Sequence, residues 1–148
     1  MKNRRPHYMV KALYEEPDRG YRISLFCGCG IDTRTGRIVE VFVTPGRTHD
    51  GETPDMRDAM MERLLADMGM LVSFHLQAGA SAESLSDRLN AIRAGGPGYV
   101  TFPDARGADN ALRVSSLLGA IVQACCVAQM DWRTMTAQLA REDVVHHA

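Results

Sequence analysis

The sequence describes an α+β protein, an antiparallel β-hairpin packed against three or four helices. Three observations carry this. Apolar residues alternate on both sides of one turn, over 21–31 and 37–44. Downstream they recur at spacings of three and four, the helical period. The chain has 148 residues, 45% of them hydrophobic and 24% charged, an ordinary composition for one domain spanning 1–148. At that length, folding buries roughly 68–70% of the extended-chain surface, enough for a core without covalent staples.

The elements follow in order. Tyr8, Val10, Ala12 and Tyr14 alternate with His7, Met9 and Lys11, the pattern of a short edge strand that would make the sheet three-stranded. Tyr21, Ile23, Leu25, Cys27 and Cys29 then alternate with Arg22, Ser24, Phe26 and Gly28, and Val39, Val41 and Val43 alternate with Ile38, Glu40, Phe42 and Thr44. The turn between them runs from Asp32 to Gly36. Aspartate starts turns through its carboxylate, and glycine accepts the positive φ that closes them.

Pro45-Gly46 ends the second strand, and Asp55 is placed to cap a helix. In that helix Met60, Leu64, Met68, Leu71, Val72 and His75 read as the apolar face, with Arg57, Asp58, Glu62, Arg63 and Asp67 opposite. Gly69 is its weak position and Gly79 its C-terminal stop. Ser81 caps a shorter helix carrying Leu85, Leu89 and Ile92. Gly95-Gly96-Pro97-Gly98 opens a polar segment over 94–110 that reads as a loop. Ser115 or Ser116 starts the next helix, with Leu118, Ile121, Val122, Cys125 and Cys126 apolar. Asp131 would cap a last one carrying Trp132, Met135 and Leu139, fraying at His146 and His147.

The formal net charge is −1, which argues against nucleic-acid binding by bulk charge. No stretch approaches the roughly 18 apolar residues of a membrane span. The N-terminus lacks a signal-peptide core, so the expected location is the cytoplasm and the four cysteines are expected as thiols. Nine methionines against one tryptophan point to adaptable contact surfaces.

Candidate chemistry is sparse. Cys27 and Cys29 share one strand face at a spacing of roughly 6.5 Å and could contribute to a zinc site. Small buried residues on the inner face of the hairpin are the plainer explanation. A site joining them to Cys125-Cys126 would need the later helix to pack across the hairpin's cysteine face. His75, on a face read as apolar, is expected to be a core or interface residue. Arg47, His49, Asp50 and Glu52 form a polar loop before a helix, suited to an anion or a partner, and Arg106 offers a cation in the 94–110 loop. No nucleophile elbow, His-Glu-x-x-His motif or paired-carboxylate signature is present. The sequence therefore assigns no catalytic residues and no cofactor.

One strand and one helix end resemble a known family. Gly36-Arg37-Ile38-Val39-Glu40-Val41-Phe42-Val43 is similar to the Gly-x-Ile-x-Glu-Val-Phe-Ile strand of the TSCPD domain. Ser73 through Gly79 resembles that family's Ser-x-x-Leu-x-x-Gly helix end, and a short helix follows at 82–89. Leu117-Leu118-Gly119-Ala120-Ile121 is similar to the family's Gly-Ala helix start. The resemblance covers about residues 21–125. TSCPD domains stand at the C-terminal end of vitamin B12-dependent ribonucleotide reductases and also as small separate proteins. The resemblance thus implies a non-catalytic accessory module linked to deoxynucleotide synthesis, with a reductase subunit as partner. The Thr-Ser-Cys-Pro-Asp motif and the closely spaced terminal cysteines of that family are absent. Two other readings stay open: an unrelated interaction module of phage or mobile-element origin that binds a host protein, and a small thiol metalloprotein. Two sheet edges that need cover make a homo-oligomer the expectation.

Overall fold

The structure, a computed structural model, describes residues 5–46, 56–91, 96–103 and 111–147. Five strands form one antiparallel sheet: β1 (His7–Glu16), β2 (Tyr21–Asp32), β3 (Arg37–Pro45), β4 (Gly98–Thr101) and β5 (Leu112–Val114). Their spatial order is β3-β2-β1-β4-β5. Among the described residues the sheet is joined by three α-helices, α1 (Met56–Gln77), α2 (Ala82–Leu89) and α3 (Leu117–His147), and by one 3-10 turn, Pro17–Arg19. None of them is long and apolar enough to cross a membrane, among the described residues.

The local signals work as their chemistry requires. Asp32 Oδ1 accepts from the Arg34 amide at 3.0 Å, and Gly36 takes φ +72° to close the β2–β3 turn. Gly79, at φ +109°, stops α1, and the Ala80 amide reaches back to the His75 carbonyl at 3.0 Å. Ser81 Oγ accepts from the Ser84 amide at 3.0 Å and caps α2.

α3 lies across the middle of the sheet, and α1 packs on β3. The contact face of α3 carries Ala120, Ala124, Cys125 and Ala128, all fully buried. Such small side chains let the helix approach closely. They share one core with Leu25, Cys27, Cys29, Ile31 and Val100 of the sheet and Phe102 just past β4. α1 covers the free edge of β3: the Val41 amide donates to Ser73 Oγ at 2.9 Å, and Ser73 Oγ donates to the Gly69 carbonyl at 2.7 Å. The Ile38 amide donates to Gln129 Oε1 of α3 at 3.1 Å. The β3 edge therefore finds its partners within the chain.

Several expectations change. β1 is a central strand, not an edge, because β4 pairs with its far side. β4 occupies part of the segment read as a loop, and its short apolar pattern was hidden among glycines and polar residues. A register shift at Gly30/Ile31 brings Ile38 into the core in place of Val39. Residues 117–147 form one continuous helix, so Asp131 caps nothing. It accepts instead from Tyr8 Oη at 3.3 Å. The largest correction concerns α1. Leu65, Val72 and Leu76 face the sheet, whereas Met60, Leu64, Leu71 and His75 are exposed.

Candidate functional site

The helices cover one face of the sheet, which leaves two places where chemistry-bearing residues converge. The first is the buried cysteine cluster. Cys27 and Cys29 project from β2 toward α3, both fully buried, and α3 brings Cys125 against them. The packing that a joint site required is therefore present for three of the four thiols. Cys126 turns away toward Glu83 and Ser86 of α2.

All four are free thiols. Burial pushes the Cys27 thiol up to about 12, with the charge of Cys125 adding to the effect. Cys125 is raised well above the ordinary thiol range, first by its hydrogen bond with Cys29 and then by burial. Burial, reinforced by Glu83, lifts Cys126 to about 12. Thiolates are the nucleophilic and metal-binding form, so these sulfurs sit as neutral packing groups. Among the described residues, no group of three or more His, Cys, Asp and Glu is arranged to hold a metal ion.

The second place is the open sheet face. Alternation in β2 sends Cys27 and Cys29 inward and Gly28 and Gly30 outward, so at these two positions the strand has no side chain of its own and its neighbours cover it. Across Gly30, Glu40 of β3 reaches β1: its Oε1 lies 3.1 Å from His7 Nε2, and its Oε2 lies 3.5 Å from Arg5 Nη1. A Cβ at Gly30 would stand 2.3 Å from Glu40 Cγ, so only glycine admits this crossing. Beside it, Met9 and Phe42 flank Gly28 from the two neighbouring strands, 63% and 60% exposed. The His7 ring lies 5.7 Å from that of Phe42. Lys11 Nζ sits 5.6 Å over the Phe26 ring. The face is therefore an apolar strip bordered by charged side chains that bridge between strands.

Of the residues singled out from sequence, Cys27 and Cys29 lie in the core. Arg47, His49, Asp50, Glu52 and Arg106 lie outside the described residues. Arg5, His7, Glu40, Met9 and Phe42 were not singled out as a group. The signal that could have found them is the Cys-Gly-Cys-Gly run, since glycine at every second strand position bares one face.

Among the described residues these features define a one-sided α+β domain, with helices on one sheet face and none on the other. Residues 10–129 match the family model of the TSCPD domain, and the chain belongs to that family. No curated protein and no solved structure matches it. The family match ends at Gln129, the last buried residue of α3, although Asp131 and Trp132 still meet the domain.

Proposed function

We propose that this chain is a non-catalytic accessory protein that acts near ribonucleotide reductase through protein contacts made by its open sheet face. The observation that carries the reading is the pair Met9 and Phe42, which stand exposed on either side of Gly28. Large apolar side chains grouped on an open face and rimmed by charge are the usual composition of a contact surface. Family membership supplies the link to the reductase, since TSCPD domains occur at the end of its vitamin B12-dependent form.

The test is affinity capture of the tagged chain from its native cell, read by mass spectrometry. Recovery of a reductase subunit by the unaltered chain, lost in Phe42→Asp and Met9→Asp variants that still fold, supports the reading. Recovery of an unrelated protein, or capture indifferent to both substitutions, removes it. Deleting 94–110 is unsuitable, because it would excise β4.

A further inference from the structure

We propose that the open sheet face binds single-stranded nucleic acid, with bases stacking along a diagonal of side chains, Phe42, Phe26, Leu13 and Tyr99, that crosses four strands. This activity goes beyond the accessory function. Phe42 belongs to both surfaces, and the other three residues to this one alone.

The pleat places these residues. Leu13 lies between the buried Ala12 and Tyr14, Phe26 between Leu25 and Cys27, Phe42 between Val41 and Val43, and Tyr99 between Gly98 and Val100. All four therefore point away from the helices. Strand register then aligns them. Phe42 sits opposite Gly28, two residues from Phe26. Phe26 sits opposite Lys11, two residues from Leu13. Leu13 sits opposite Thr101, two residues from Tyr99. Each step is one strand across and two residues along, in the same direction every time. Such diagonal neighbours are about 7–8 Å apart, so the line runs for roughly 20 Å. A single nucleotide would use one ring, whereas a line of this length suits an extended strand.

Two features select a polynucleotide over a protein segment. The first is that each ring stands beside a cation or an imidazole. Lys11 Nζ lies 5.6 Å from the Phe26 ring centre, the Arg113 guanidinium 5.5 Å from that of Tyr99, and the His7 ring 5.7 Å from that of Phe42. Stacking on rings that stand beside cations is how sheet surfaces hold unpaired bases and their phosphates. The second is charge. The whole chain carries 17 lysines and arginines against 18 acidic residues, so bulk charge attracts no polyanion. On this face, among the described residues, Arg5, Lys11, Arg22 and Arg113 outnumber Glu15 and Glu40. The local balance is thus opposite to that of the chain. Bases in a duplex are already stacked and paired, so the rings favour a single strand.

The test is fluorescence anisotropy of a labelled oligothymidine of about 20 nucleotides, longer than the site sizes usual for such surfaces, titrated with the full chain over a range of salt. Binding should saturate, and should be weaker for the same oligonucleotide annealed to its complement. Phe26→Ala and Tyr99→Ala, each checked for native circular dichroism, should each weaken it at least about fivefold, the loss of one base–ring stack. Tyr99→Phe should retain binding, because the ring remains. Lys11→Gln should lower the slope of log affinity against log salt by about 0.7, the share of one phosphate contact on a single strand. Absence of binding overturns the proposal, and is the result that a face reserved for protein contacts would give. So does equal affinity for the duplex, or affinity that tolerates both alanine substitutions, since either means attraction by charge alone.

Discussion

Single residues carry much of the tie between α1 and the sheet. Ser73 is buried, and its hydroxyl holds the Val41 amide at the edge of β3. Ser73→Ala should leave that amide unpaired and destabilise the domain by about 1–3 kcal/mol, read as a lower denaturant midpoint. Its Ser-x-x-Leu-x-x-Gly setting was legible in the sequence, but its task was not, because the recipient amide belongs to another element. Glu40 behaves alike. Gly30→Ala should displace it and remove its bridges to His7 and Arg5. Gly30→Ala and Glu40→Ala should therefore be non-additive in a double-mutant cycle of thermal stability. The cysteines make a pH prediction. Cys27 and Cys126 are raised to about 12 when folded, against 9.0 for the unperturbed thiol. The folded state thus holds protons that the unfolded chain releases. The stability they contribute is complete below about pH 9 and is lost as the pH rises from there toward 12. Thermal midpoints measured across pH 8–11 should fall, with a shallower slope in Cys126→Ser.

At the scale of the element, α1 shows why period alone does not choose a face. Apolar residues lie on both sides of this helix, and the sequence reading takes Met60, Leu64 and Leu71 with Val72, whereas the sheet takes Leu65, Val72 and Leu76. The sheet takes the second set because Gly69 lies among them. A Cβ at Gly69 would stand 2.9 Å from the Val41 carbonyl oxygen, so glycine sets the distance between α1 and β3. Within a helix, Gly→Ala normally stabilises by about 1 kcal/mol. Here the sign should reverse, because the added methyl meets backbone that cannot swing aside, and overpacking costs about 1–3 kcal/mol. A lower melting temperature for Gly69→Ala checks this. β4 and β5 illustrate a different limit. At four and three residues they are too short to show a period, and they are strands because β1 offers a free edge to pair with.

At the scale of the molecule, the family match and the buried part of α3 both stop at Gln129. A chain ending after Arg133 should keep its core intact. Compared where both are monomeric, its melting temperature should lie within about 4 °C of the full chain's, the shift that 1 kcal/mol produces at this size. Helical circular dichroism should fall in proportion to the residues removed. Of the two sheet edges whose need for cover suggested self-association from sequence, that of β3 is met by α1 within the chain.

The sequence alone determined the β2–β3 hairpin, the stop of α1 at Gly79, the cap of α2 at Ser81 and the membership of a family. Each rests on a signal confined to neighbouring residues: a turn's φ angle, a cap's hydroxyl, a strand's alternation. The tertiary structure alone decided which face of α1 is buried, that β1 is central, that Cys125 meets Cys27 and Cys29, and that Glu40 crosses a bare strand to reach His7. Those outcomes depend on which surfaces meet, and close packing between elements distant in sequence is a property no local pattern contains.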